Sequence, residues 1–401
     1  MPNHKEKMDK QKIKLISFIS FLLGFSWSLI AYVLSTFFKI ASGTENVGIF
    51  YTISYIVVLL LLLNMHEGVR KWGKGRFFLF LELTKFFVIA LLIFSGFSHW
   101  AIVWAMLFSV LVAAEWTALD SILESFSQDK FSGRIRGWHL TVFNAGFLLG
   151  PFISTRLLEK YGFQGIFVSL LVLGALTFVV SLAGLRDVTD RFYKKLNALQ
   201  IIKKIWAKKD IVRIYYVSFV LEFFFALMVI YTPLYLLDLG LSWGQIGVIF
   251  TCMLVPFVIL QYPVGVLADK NFGERELLIF SVLIMAVSTL LIYFTSSSSV
   301  LVWSLILFST RIGAALIEIL RDSYFYKKID GYDVDIINFF RTAMPAGYIL
   351  ATAISAVTLL FFPIKSSFIL VALVVISALY PTLKLKDNKC EKELKKVVRN
   401  D

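Results

Sequence analysis

Long apolar runs alternate with short polar breaks along this chain. The runs last about 18–25 residues, the length at which a helix crosses a hydrocarbon core roughly 30 Å thick. A backbone in lipid has to satisfy its own hydrogen bonds, so each run is expected to be an α-helix. The strict apolar/polar alternation of a membrane β-barrel is absent. The pattern predicts twelve spans in an all-α integral membrane fold. Six fall near 15–38, 46–64, 77–95, 100–121, 137–155 and 164–185. Six more fall near 213–237, 244–264, 277–295, 300–320, 342–362 and 366–383.

The runs also repeat. AGFLLGPFIS from Ala145 returns as AGYILATAIS from Ala346. DSILESF from Asp120 returns as EILRDSY from Glu318, each an acid, three residues, a second acid, a serine and an aromatic. VGIFYT from Val47 returns as IGVIFT from Ile246. A constant offset of about 200 residues in the same order marks two copies of one helical unit. Duplicated helix sets around a midplane site are a transporter architecture. The expected organisation is a six-helix bundle over 1–185, a basic linker over 186–210, a second six-helix bundle over 211–385 and a basic tail over 386–401.

Composition fits that picture. Hydrophobic residues make up 58% of the chain, more than a soluble domain of 401 residues needs. The net charge of +13 invites a nucleic-acid partner, but its distribution excludes one. Lys5, Lys7, Lys10, Lys12 and Lys14 precede the first span, and Arg70, Lys71, Lys74 and Arg76 follow the second. The segment from Arg186 to Arg213 and the tail after Pro381 are richer still. The opposite loops hold only Lys39, Arg156, Lys160 and Lys365. That asymmetry is the positive-inside pattern and predicts that both termini face the cytoplasm. The basic excess then serves anionic lipid headgroups. Phe192, Leu196, Leu199, Ile202 and Ile205 are spaced as an amphipathic helix lying on that surface. The basic start followed by a long apolar run reads as an uncleaved first helix. Cys252 in a span and Cys390 in the tail suggest neither a disulfide nor a metal site. His4, His66, His99 and His139 are scattered, and no phosphate-binding glycine loop is present, so no cofactor, ATP drive or enzymatic centre is expected.

Two motifs carry a family resemblance. The loop between the eighth and ninth spans reads GVLADKNFGERE from Gly265 to Glu276. Gly265, Asp269, Lys270, Gly273 and Arg275 fill the places of G-x-x-x-D-[RK]-x-x-G-x-[RK]. Gly265 would let a neighbouring helix approach, and Asp269 would sit against a helix N-terminus. The first-half counterpart, MHEGVRKWGKGR from Met65, keeps Gly73 but has Val69 in place of the acid. The loop resembles the signature of the major facilitator superfamily over nearly the whole chain. That resemblance implies a gating latch at this loop, alternating access between two bundles, and a central cavity lined by spans 1, 4, 7 and 10. In the fifth span, Gly137, Gly146, Gly150 and Pro151 match the spacing of the superfamily's antiporter motif, with Ser154 and Thr155 in place of its last two glycines. Small residues at this spacing pack helices closely, and a proline bends one. The match implies export in exchange for protons.

Charges inside a membrane are expensive and mark function by default. Glu222 sits mid-span and could carry a proton, because a carboxylate in an apolar site can hold one near neutral pH; a structural hydrogen-bond anchor is the other reading. Glu115 and Arg311 lie on the spans related by the repeat and could pair as a switch across the cavity. A permanent packing pair and direct binding of an anionic substrate by Arg311 are the alternatives. Asp120, Glu124, Glu318 and Asp322 end their spans in both repeats and are read as gate partners for Lys270, Arg275, Arg134 and Arg321. Glu82 and Lys85 are three apart and read as a pair on a peripheral helix. Trp27, Tyr32, Trp104, Trp116, Tyr231 and Trp303 would suit an amphipathic cation, though aromatics are ordinary at membrane interfaces. Pro233, Pro256, Pro263 and Pro345 are expected to bend their helices.

The reading favoured by these residues is a monomeric proton-coupled exporter of a small amphipathic or metabolite-like molecule in a bacterial inner membrane. An importer or uniporter of a sugar or other metabolite is the alternative within the class. A membrane enzyme and a non-transporting sensor are the alternatives outside it. Asp269→Asn is expected to slow the conformational cycle and leave the set of competing substrates unchanged; a competition profile that shifts in transport assays would overturn the latch reading.

Overall fold

The computed structural model of the chain describes residues 10–126, 132–188, 205–268, 273–329 and 334–386. Every regular element among them is a helix. The first half holds α1 (Lys10–Ala31), α2 (Leu34–Ser42), α3 (Gly48–Trp72), α4 (Lys74–Ser95), α5 (His99–Phe126) and α6 (Ser132–Leu185). The second half holds α7 (Lys209–Asp238), α8 (Trp243–Leu267), α9 (Arg275–Phe294), α10 (Val300–Lys327), α11 (Val334–Arg341), α12 (Ala343–Thr358), α13 (Ser366–Ser377) and α14 (Leu379–Leu383).

Ten stretches among the described residues are long and apolar enough to cross a membrane. One of them, Gly137–Leu185, is 49 residues long and reverses at Gly162. The φ of +62° there lies in the region glycine adopts without a Cβ penalty. Its two legs fill the places of the fifth and sixth expected spans. α12, at 16 residues, stands in the place of the eleventh. The architecture is thus compatible with twelve passes. Phe94, Phe294, Leu360 and Phe361 are largely exposed, as side chains facing lipid tails are.

Local chemistry sets several boundaries. Ser242 caps α8 in a reciprocal box: its Oγ accepts from Gln245 N and the Gln245 side chain accepts from Ser242 N. The expected first span is instead two helices, because the chain tightens into a turn at Tyr32–Val33 with Val33 N bonding to Ile30 O. Pro233, Pro256 and Pro263 lie inside helices as expected. Pro345 does not bend one. The chain breaks before α12 and places Pro345 in its first turn, where a missing N–H costs no helical bond.

Glycines decide how closely helices meet. A methyl on Gly146 would overlap the Phe21 carbonyl, and one on Gly150 would overlap Ser28, so both let α6 press on α1. Gly24 does the same from α1 against Phe143. Gly137 has nothing closer than 3.9 Å to a Cβ, so only part of the antiporter-like spacing is used for close packing. Gly265 is also less constrained than expected, since a Cβ there would meet Ile319 at an ordinary 3.4 Å.

The repeat reappears in the contacts. Gly48 and Gly247 occupy the same place in the two copies. Each joins its own half to the other: Gly48 meets Tyr231 and Thr352, and Gly247 meets Thr155 and the Pro151 carbonyl. Gly73 and Gly273 also correspond, with φ of +79° and +74°. The residue after each glycine ties down the preserved repeat serine. Lys74 donates to Ser125 Oγ (2.6 Å) and to the Ser121 carbonyl, while Glu274 accepts from Ser323 Oγ (2.8 Å) and pairs with Lys327 (2.6 Å). Asp269 and Lys270, the amphipathic linker sequence from Phe192 to Ile202 and the tail beyond residue 386 lie outside the described residues.

Gly146→Leu is expected to lower the Tm of the detergent-purified protein, because overpacking a tight seam costs about 1–3 kcal/mol. Gly137→Ala should leave Tm where it is. Equal shifts for the two would show that the α1–α6 contact is not what limits stability.

Candidate functional site

The two halves enclose a cavity of about 280 Å³. On the far face, away from the start of α1 and the end of α14, the seam between halves is closed. Thr52 and Thr352 share a hydrogen bond of 2.7 Å, Asn46 Nδ2 donates to the Ala356 carbonyl at 3.1 Å, and Gly244 N donates to Glu159 at 2.7 Å. Deeper in, Tyr32 packs on Phe250 and Tyr55 stacks on Tyr348 with ring centres 4.0 Å apart. On the near face the halves are bridged by the Asp120–Arg341 ion pair at 2.6 Å. Asn144 Nδ2 also donates to Gln261 Oε1 there, at 3.2 Å.

Three groups of charge line the cavity. The first is a triad. Lys85 on α4 lies 3.2 Å from Glu82 and 2.5 Å from Glu115 on α5, all three buried. The expected Glu115–Arg311 pair is not formed. α4 packs against α5 and delivers the Lys85 ammonium to Glu115 first, while Arg311 is held elsewhere. The Glu82–Lys85 helix is also no bystander, since Lys85 reaches the cavity.

The second group surrounds Arg321 on α10. Its guanidinium donates to Glu222 Oε1 at 3.0 Å and to Ser218 Oγ at 2.7 Å, and lies 3.5 Å from Asp322. Glu318, one turn earlier, accepts from Gln261 Nε2 at 2.6 Å. Gln261 is fully buried, and its other end is the acceptor for Asn144. Glu318 is thereby linked through one amide to the opposite half. Asp120, its counterpart in the repeat, reaches the opposite half directly through Arg341.

The third group is Arg311 alone. It is 1% exposed, and none of its three guanidinium nitrogens has a hydrogen-bond partner among the described residues. It rests on the faces of Phe224 and Phe225, 5.1 and 5.7 Å from the ring centres. Cation–π contact offsets only part of the several kcal/mol that desolvating an ion costs.

Glu222, Glu115, Arg311, Asp120, Glu318, Arg321 and Asp322 are thus brought to one cavity. Gly273 and Arg275 lie away from it; Arg275 Nη2 donates to the Leu383 carbonyl of its own half. The side chains of Glu124 and Arg134 lie outside the described residues. Of the aromatics, Trp27, Tyr32 and Trp116 line the cavity. Trp303 is buried with its indole on the Ser297 carbonyl, Tyr231 bonds to Ser355, and Trp104 stacks on Trp100. The sequence reading missed Lys85 as a lining residue, together with Arg341, Gln261 and Asn144. The signal for Gln261 and Asn144 was present as polar amides inside apolar runs. His139, stacked on Trp116 and bonded to Ser20, lines the cavity as well. Among the described residues no cluster of His, Cys, Asp or Glu is arranged to hold a metal ion.

The family model for the Major Facilitator Superfamily matches residues 16–320 and 238–399. No curated protein matches the chain. Among solved structures the fold is similar to the human organic anion transporter MFSD10 (TETRAN). That match has 13% identity and a TM-score of 0.71, and covers 94% of this chain and 100% of the other. It is also similar to a bacterial homologue of the iron transporter ferroportin in an outward-facing state with soaked iron. Here the identity is 14% and the TM-score 0.67, with 93% of this chain and 98% of the other covered.

Lys85→Met strands two buried carboxylates, and breaking a buried pair this way costs about 3–5 kcal/mol. A large fall in Tm is expected, with most of it recovered when Glu82→Gln and Glu115→Gln are added. A single variant as stable as the parent would show that the triad is solvated.

Proposed function

This chain belongs to the major facilitator superfamily and is a multi-pass membrane transporter; from that premise we propose that it is a proton-coupled exporter of a small amphipathic molecule. One observation carries the coupling. Three carboxylates, Glu222, Glu318 and Asp322, gather around the single guanidinium of Arg321 on the cavity wall. Such a cluster can gain or lose a proton without ever leaving Arg321 unpaired. Glu318 gives that proton a mechanical consequence. As a carboxylate it holds Gln261 by a charge-assisted bond, roughly twice as strong as a neutral one. Gln261 in turn presents its oxygen to Asn144 across the halves. A proton on Glu318 loosens the amide and with it the near-face bridge.

Alternating access supplies the cycle: the halves rock about the cavity, and one face opens while the other is shut. In this structure contacts join the halves on both faces, hydrogen bonds at the far one and the Asp120–Arg341 ion pair at the near one. The basic loops favour cytoplasmic termini and a near face that opens to the cytoplasm, and the short loops and the family favour a bacterial inner membrane as the home. The bundles over 1–185 and 211–385 are separated in the sequence by the linker 186–210. The cavity is built within one chain, which supports a monomer as the working unit. Gly146 and Gly150, packed on α1, support the export direction together with Pro151 through their match to the antiporter motif. A uniporter would use the same rocking without the carboxylate cluster having a role, and a proton-coupled importer would use the cluster with the substrate flow reversed.

The test is proton movement in proteoliposomes holding the purified protein. A pH gradient is imposed, and amphipathic cations, sugars and small organic acids are added in turn. One class should dissipate the gradient. Glu318→Gln and Glu222→Gln should each cut that proton flux at least tenfold while tracer exchange without a gradient persists. Tracer equilibration with no proton movement for any class would leave a uniporter in place of the exporter.

A further inference from the structure

We propose that Arg311 anchors the negatively charged group of the transported molecule, so that the substrate is an organic monoanion with an apolar body. The proposal rests on the transporter reading for the use of the cavity, and not on its claim of proton coupling. The other cations lining the cavity are matched. Lys85 holds Glu82 and Glu115, Arg321 holds Glu222 and Asp322, and Arg341 holds Asp120. Arg311 is buried as deeply as any of them and has no acid within ion-pair reach among the described residues.

Its surroundings are those of a receptor for an anion. The guanidinium lies on Phe224 and Phe225, which fix its plane, and no carboxylate of the described residues takes its donors. The nearby polar groups are the hydroxyls of Tyr32 and Tyr348, from α1's end and from α12, and hydroxyls can donate to an anion as well. A planar fork of N–H donors matches a carboxylate or sulfonate in bidentate fashion. The walls beyond it are apolar: Trp27, Phe143, Phe147, Val229, Leu254 and Phe257 line the same space. At about 280 Å³ the cavity stands at the small end of the roughly 300–1,000 Å³ that ligand pockets span. The acids of the other clusters repel a second negative charge, which limits the molecule to one. The expectation of an amphipathic cation, raised from the aromatics, is replaced here, because Arg311 is the lining cation that no acid of the described residues pairs.

Equilibrium dialysis of the full-length protein in detergent, against protein-free micelles of the same detergent, tests this with three probes of one shape. They are 2-naphthoate, 2-naphthylmethanol and 2-naphthylmethylammonium. Naphthoate should bind at least tenfold tighter than the alcohol, a difference of about 1.4 kcal/mol. Arg311→Gln should abolish that preference, and Arg311→Lys should keep part of it, since the charge stays and the fork is lost. Thermal melts identify a variant that fails to fold; in that case the Arg311→Lys result decides. Tightest binding by the ammonium, no naphthoate binding above the micelle background, or a naphthoate preference untouched in both variants would each overturn the proposal. Arg311-dependent naphthoate binding without any coupled proton flux would overturn coupling alone and support the anchor.

Discussion

Charge inside an apolar bundle has to be matched, and that constraint organises this molecule. An ion taken out of water keeps its charge only where an opposite charge or a set of donors replaces the lost solvent. Lys85 sits between two carboxylates and ties α4 to α5. Arg321 draws Glu222 of α7 onto α10. Arg341 reaches across the halves to Asp120. Each pair fixes the helix that carries it, so the cavity's outline follows from where the charges cancel. Arg311 stands out because no acid among the described residues meets that constraint for it.

Duplication sets the frame in which those charges are placed. The repeat is visible as sequence, but its physical content is clearer in contacts. Gly48 and Gly247 make equivalent close approaches to the opposite half. Ser125 and Ser323 are held by the residue that follows an equivalent positive-φ glycine, once by a lysine and once by a glutamate. The backbone geometry was retained and the sign of the charge was not. Asp120 and Glu318 diverged in the same way: one bridges the halves by an ion pair, the other through a neutral amide. A symmetric scaffold thus carries an asymmetric set of charges.

Helices were legible in the sequence because run length and lipid thickness leave little choice. The break at Tyr32–Val33 was not, since neither residue carries a turn signal. The acids and cations of the cavity could be named, because any ionisable group in an apolar run is conspicuous. Their partners could not. Glu115 is 30 residues from Lys85 in the chain, and no sequence rule says which face of one helix meets which face of another. Arg341 escaped notice because it precedes a helix and reads as an ordinary loop cation. The role of Gly146 and Gly150 was legible from spacing, whereas Gly137, at the same spacing, turned out to face open packing.

The two faces of the cavity are shut by different kinds of contact. Within the far seam the partners are threonine hydroxyls, a carboxamide and the Glu159 carboxylate that accepts from Gly244 N. At the near face a full ion pair joins Asp120 to Arg341. Dissolved electrolyte weakens attraction between charges that water can reach and leaves hydroxyl contacts in a packed seam almost untouched. The near-face pair is 15% exposed on each side, so electrolyte reaches it little, and parting the halves there means returning two ions to water, whereas the far seam parts by exchanging hydrogen bonds.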